Sequence, residues 1–381
     1  MRTMVKSLYR IVLAAGILLV VGGAERVLAD SADNFKQTNL VSDIPGMAKT
    51  TDADLVNPWG VSFSSTSPFW VSDNGTGLAT LYNGAGDKLG LVVSIPPAGS
   101  APTGQVFNST SNFNGDLFIF ASEDGSITGW RGALGTTAET LLTPSGGAVY
   151  KGLAIGTTAS GTYLYATDFH NGQITVLPGT GAPALTGHFT DPNLPAGYAP
   201  FNIQNIGGQL YVTYAVQDAA KHDDVAGAGN GIVDVFDLQG NLVKRLISNG
   251  GPLNSPWGMA IAPDGFGNFG SDLLVGNFGD GTINAFDPTT GKLLGQVDGS
   301  DGKPLVNLGL WDLTFGNGGN GGSPDDLYFT AGIPGPGEVE DHGLFGSIAV
   351  VPTPEPGTLT LIVSGLVGLI GYRRRRNNVT A

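Results

Sequence analysis

The residues of this 381-residue chain that could do chemistry are mostly oxygen donors and single histidines, set in short turns between apolar runs. Asp73, Asp168, Asn277 and Glu338 carry hard oxygen ligands of the type that suits calcium, and they would form a site if the fold carried them to one point. A second set, Glu123, His170, His222, Asp223, Asp224, Asp280, Asp341 and His342, offers carboxylates and imidazoles for a polar pocket. Its densest parts are two long loops. Residues 217–230 contain Lys221-His222-Asp223-Asp224, and residues 332–346 contain Glu338, Glu340, Asp341 and His342. Long loops on a rigid scaffold concentrate function, and the same loops serve equally as solvated lids.

No familiar catalytic motif accompanies these groups. There is no twelve-residue calcium loop, no HExxH helix to place two zinc-binding imidazoles, no GxSxG nucleophile elbow and no Walker loop. The glycine patterns at 265–270 and 316–321 each precede a strand-like run, not the helix whose N-terminus would hold a pyrophosphate, and they read as turns. With no cysteine, thiol catalysis and cysteine-ligated metals are excluded.

The elements that must position these residues follow from a repeat. Seven residues recur six times: NPWGVSF from Asn57, APTGQVF from Ala101, VYKGLAI from Val149, APFNIQN from Ala199, SPWGMAI from Ser255 and GLWDLTF from Gly309. Their spacings of 44, 48, 50, 56 and 54 residues are those of propeller blades. After each window comes a second apolar run and then a third, with alternating β-branched and aromatic residues bounded by Gly, Asn and Asp, the signature of strands. A fourth is clearest from Leu89 and from Leu242. With 61 glycines and 23 prolines, helix-rich architecture is excluded, while a hydrophobic content of 41% is too high for disorder. The expected fold is all-β: a six-bladed β-propeller of four-stranded antiparallel blades.

The sixth unit runs out of chain before its fourth strand. The segment from Asn39 to Gly46 resembles the fourth strand of the first unit, so the N-terminal strand is expected to complete the last blade and close the ring. In such meanders the second-to-third loops and the blade-to-blade loops emerge at one end, which is where the candidate residues above would ring the axis. Trp59, Trp257 and Trp311 recur at one repeat position and read as packing core, with sugar stacking the competing role.

The two ends of the chain carry other signals. Residues 1–29 have the order of a signal peptide: basic Arg2, Lys6 and Arg10, an apolar run from Ile11 to Val21, and small residues up to a cleavage point after Ala29. At the other end Pro354-Glu355-Pro356 is followed by an uncharged stretch from Thr358 to Tyr372 and then by Arg373, Arg374, Arg375 and Arg376. This order resembles the PEP-CTERM sorting tail. The resemblance implies recognition by an exosortase, cleavage near the triplet, and delivery to the outer surface or extracellular matrix of an exopolysaccharide-producing Gram-negative bacterium. Membrane contact is then confined to the C-terminal segment, whether transient or permanent. The expected domains are a signal peptide at 1–29, a propeller at 30–351 and a tail at 352–381.

Setting aside the four basic residues and one acidic residue at each end leaves 10 Lys+Arg against 30 Asp+Glu, a net charge near −20 for the folded body. Such a surface disfavours nucleic acid and anionic lipid and attracts cations. The body as a whole, through NPWG at Asn57, SPWG at Ser255, the loop from Val216 and DGTINAFDPTTGKLLG from Asp280, resembles PEP-CTERM-tailed six-bladed propellers of unknown function. These are related in fold to the TolB-like, NHL and gluconolactonase propellers. That resemblance implies architecture and export, while the tail, the acidic surface and the lack of a catalytic motif point to a binding or structural module for polysaccharide, a surface protein or a divalent cation. The alternative is a calcium-dependent hydrolase or lactonase like the gluconolactonase propellers. Those enzymes place a Glu ligand at the start of the first inner strand, where this chain has Asn57-Pro58-Trp59-Gly60.

Overall fold

The computed structural model describes residues 34–337 and 339–351. The expected signal peptide, the sorting residues from Pro354 to Arg376 and Glu338 lie outside the described residues. Among the described residues there is no α-helix; the chain runs through six sheets, antiparallel except for the short strand Thr50–Thr51, which pairs parallel with Asn34–Ser42. In the first blade Pro58–Ser62, Phe69–Asp73, Leu78–Tyr82 and Lys88–Ser94 pair in chain order. The first strands of successive blades touch in a closed circle: Pro58–Ser62, Pro102–Phe107, Tyr150–Thr158, Tyr198–Ile206, Pro256–Ile261, Leu310–Phe315, and back to the start. They therefore line the axis, and the later strands of each blade lie progressively outward.

This circle is tight. A Cβ added to Gly104 would stand 2.4 Å from the Leu153 nitrogen of the next blade, and one added to Gly258 would stand 2.4 Å from the Trp311 carbonyl oxygen. Glycine is needed at this repeat position because neighbouring backbones meet there. Two blades depart from the rule, with Asn202 and Asp312. In both, the side chain bonds the next blade: Asn202 Nδ2 donates to the Trp257 carbonyl at 2.9 Å, and Asp312 Oδ2 accepts the Val61 N–H at 2.7 Å.

The ring closes as the repeat predicts. His342–Val351 is the third strand of the sixth blade, and Asn34–Ser42 pairs with it antiparallel, Asn34 opposite Val351 and Ser42 opposite Leu344. The closing strand lies earlier than the expected Asn39–Gly46. It stops at Ser42 because Pro45 lacks a donor and Gly46 takes a left-handed φ of 80°, so the chain turns there. The third blade also differs from expectation. It has only Tyr150–Thr158, Gly161–Asp168 and Gln173–Pro178; residues 179–197, interrupted by Pro183, Pro192 and Pro195, form no strand. Their Leu185, Phe189 and Leu194 instead pack on the apolar layer between the third and fourth blades.

Each pair of neighbouring blades shares such a layer. Trp70, Phe118, Phe120 and Trp130 fill the one between the first and second, and Tyr82, Phe69, Tyr328 and Phe345 the one between the sixth and first. Burying one such aromatic side chain contributes about 1.5–3 kcal/mol, so the layers provide the main driving force for blade stacking.

Candidate functional site

The third position of the repeated window points its side chain at the axis. Trp59, Phe201, Trp257 and Trp311 meet there with Phe169 in one buried cluster. Trp59 stacks on Trp311 with ring centroids 3.4 Å apart, and Trp257 stands edge-on to both. The tryptophans are thus packing core, as their recurrence suggested, and they plug the axis.

The same position in the third blade is Lys151. Its side chain is only 2% exposed, and its ammonium sits 5.1 Å above the Trp59 ring. From there it reaches the end of the axis where the second-to-third loops gather, and it bonds Glu123 of the second blade and, at 3.1 Å, Asp223 of the fourth. Asn74 of the first blade donates to Glu123 at 3.0 Å. Asn57 donates to Asn74 at 3.1 Å and to Glu340 of the sixth blade at 3.0 Å, while accepting the Trp311 indole N–H at 2.9 Å. Groups from five blades therefore form one connected polar lid over the aromatic plug.

Burial alone would lower the affinity of Lys151 for its proton, but the charges of Glu123 and Asp223 outweigh it and raise the pKa, so the group is a cation. Burial would also raise Asp223, yet Lys151 and His222 hold its carboxyl below the usual range. Glu340 behaves in the opposite way: burial, reinforced by the charges of Glu123 and Asp223, pushes it up to about 7 against the opposing bond from Asn57. Glu123, His222 and Asp223 each bring a potential ligand atom within 4.8 Å of the others, a spacing that a metal ion could use. Lys151 bonds both carboxylates, so the protein's own ammonium already supplies a positive charge at that point.

Of the residues singled out in the sequence, Glu123 and Asp223 belong to this lid, and His222 joins through its bond to Asp223 at 2.9 Å. Asp224 adjoins them, with its pKa raised by burial. The others lie apart. His342 bonds Asp43 at 2.6 Å beside the closing strand, Asp341 accepts the Gly337 N–H at 3.0 Å, and His170 uses its carbonyl to accept from Gln217 at 3.3 Å. Asp280 closes its own turn by accepting from Thr282.

The three described residues considered for calcium each serve their own blade. Asp73 accepts from Thr80 at 2.7 Å, and burial holds its carboxyl well above the usual range. Asp168 accepts from Val149 and Asn171. Asn277 bonds Asn254 and Pro252. Lys151, the centre of the site, was missed. Its signal was in plain sight: a lysine at the repeat position that is otherwise Trp, Phe or Thr.

The fold is that of a six-bladed propeller, and the C-terminus adds a signal of its own. The PEP-CTERM protein-sorting motif matches residues 352–376, which implies export and handling by exosortase-type machinery. No helix among the described residues is long and apolar enough to cross a membrane.

The body of the chain is 34% identical over 342 residues to Uncharacterized protein R648 of Acanthamoeba polyphaga mimivirus, covering 82% of this chain and 80% of that protein. It is 35% identical over 300 residues to Uncharacterized protein L690 of the same virus, covering 73% and 78% respectively. The chain belongs to the family of these proteins. Among solved structures it is similar to a catalytically inactive virginiamycin B lyase from Staphylococcus aureus, with a TM-score of 0.49, 13% identity, and coverage of 83% of this chain and 100% of that one.

Proposed function

We propose that this protein is a binding module without catalytic activity, displayed on the outer cell surface or in the extracellular matrix, and that it engages matrix polysaccharide through the lid around Lys151. In this reading residues 1–29 direct export, 30–351 are the working body and 352–381 the sorting tail. The observation that carries it is the lid itself. Groups from five blades are already hydrogen-bonded to one another over a sealed aromatic plug, which makes a rigid, preorganised polar surface. Lys151 is held protonated between two carboxylates, which suits it to orient a ligand as a fixed charge and not to act as a nucleophile. The acidic body favours neutral or cation-bridged glycans over anionic ones.

Retention of the full-length chain on immobilised matrix polysaccharide, with and without added calcium, tests this. Retention should weaken at least tenfold in Asp223→Asn, a change at an exposed position that removes one partner of Lys151. Passage of the unaltered protein straight through every polysaccharide column would refute the reading.

A further inference from the structure

At the end of the axis opposite the lid lies a cavity of about 630 Å³, to which the inner strands of all six blades contribute. None of the lid residues Glu123, Lys151 and Asp223 lines it, and Asp312 is the one ionisable side chain that does. Its volume falls within the ~300–1,000 Å³ typical of small-molecule sites. Trp257, itself part of the aromatic plug, and Met259 close the inner end, and Val61, Leu153 and Leu313 form the sides.

The hydrogen-bonding capacity of this lining is unevenly used. Gln105 is saturated: it donates to the Gly60 carbonyl and to Ser72, and accepts from Ser62. Asn202 is committed to the Trp257 carbonyl. Gln204 is different. Its Nε2 lies 3.4 Å from Asp312 Oδ1, and its buried Oε1 has no donor among the described residues. An unpaired buried acceptor is unfavourable, and a ligand that donates to it relieves that penalty. Asp312 beside it, 4% exposed and pushed by burial up to about 7, already accepts the Val61 and Leu313 N–H groups, which leaves Gln204 Oε1 as the free acceptor. The site therefore asks for hydrogen-bond donors on a compact molecule that also has an apolar face to set against the aliphatic wall. It supplies no basic side chain to receive an anion.

We infer that this cavity is a second binding site, for a neutral mono- or disaccharide unit, with the unpaired Oε1 of Gln204 accepting one of its hydroxyls and the aliphatic wall of Val61, Leu153 and Leu313 packing its apolar face. The inference is independent of the lid, because the two sites lie at opposite ends of the plug.

Calorimetric titration of the full-length chain, purified in a sugar-free detergent, tests it with glucose, galactose, mannose, cellobiose and maltose, alongside glucuronate and glucosamine. At least one neutral sugar is expected to bind saturably and more tightly than either charged one. Gln204→Leu, which removes the free acceptor, and Thr314→Trp, which fills the cavity, should each weaken that binding at least tenfold, with Gln204→Leu melting no lower than the unaltered protein. Absence of saturable binding by every neutral sugar, tighter binding of a charged sugar, or indifference of the titration to both substitutions would overturn the inference. Polysaccharide retention is measured on the same proteins, so failure of the lid and failure of the cavity register separately.

Discussion

The carboxylate of Asp312, on the innermost strand of the sixth blade, accepts the backbone N–H of Val61 on the first blade at 2.7 Å, bonding across the seam where the ring closes. Its other oxygen accepts the N–H of Leu313 at 2.8 Å. A position that is glycine in four of the six blades has become an inter-blade clasp.

That clasp makes stability depend on pH. Burial raises Asp312 from 3.8 to about 7, so its contribution is full below the unfolded value and is lost as pH rises through about 7. Glu340, at about 7, and Asp234, raised by burial to about 6, act in the same direction, whereas the depressed Asp52 and Asp223 have already ionised below their usual range. Unfolding free energy from urea titration should therefore fall between pH 5 and pH 8, by roughly 2–4 kcal/mol for Asp312 alone, and Asp312→Asn should flatten the slope. A stability that stays level or rises over this interval would contradict the assignment.

At the lid the two partners of one ion pair should respond unequally. Lys151 is 2% exposed, while Glu123 and Asp223 are 15% and 64% exposed. Glu123→Gln strands a buried cation with one solvated partner and should destabilise by about 3 kcal/mol, whereas Lys151→Met leaves carboxylates that water can reach and should be milder. Equal losses in denaturant titration would mean that the ammonium is better solvated than its burial implies.

The closing strand should behave as part of the core. Val41 is fully buried against Tyr82 and Phe345 between the sixth and first blades, so Val41→Asp places a charge there without a partner and should cost more than about 4 kcal/mol. Removing residues 34–42 exposes the edge of His342–Val351 and should produce aggregation visible by size-exclusion chromatography. A monomeric product melting at the parental temperature would show that the ring does not need this strand.

Two glycines offer a paired check on packing around the axis. A Cβ on Gly104 would stand 2.4 Å from the Leu153 nitrogen, while one on Gly90 meets nothing within 4 Å. Gly104→Ala should lower stability by about 3 kcal/mol or more, and Gly90→Ala should change it by about 0.5 kcal/mol in either direction. Comparable melting temperatures for the two would rule out the tight circle of inner strands.

Much of the architecture was legible because a propeller repeats its local instructions. Alternating apolar residues mark strands, the spacing of the windows marks blades, and the missing last strand points to the N-terminus as its replacement. The third blade escaped this reading because the prolines after Gly181 break a strand without disturbing the period, and the apolar Leu185 and Phe189 find burial in an irregular loop. The boundary of the closing strand was displaced because the likeness to Leu89–Pro97 reflects composition, whereas pairing register is set by the partner strand and ends where Pro45 and Gly46 turn the chain.

Local side-chain pattern thus suffices for fold class, blade count and the route of ring closure, since each depends on neighbours within one hairpin or on a period along the chain. Which polar groups meet is a different matter. Lys151 stands out by its repeat position, but Glu123, Asp223 and Glu340 lie on three other blades, and nothing in their spacing distinguishes them from Asp168 or Asp280, which bond close to their own turns. Their encounter depends on loop lengths and on the radial distance of each side chain from the axis. The same holds for the cavity at the far end, whose walls come together only when the six inner strands have closed their circle.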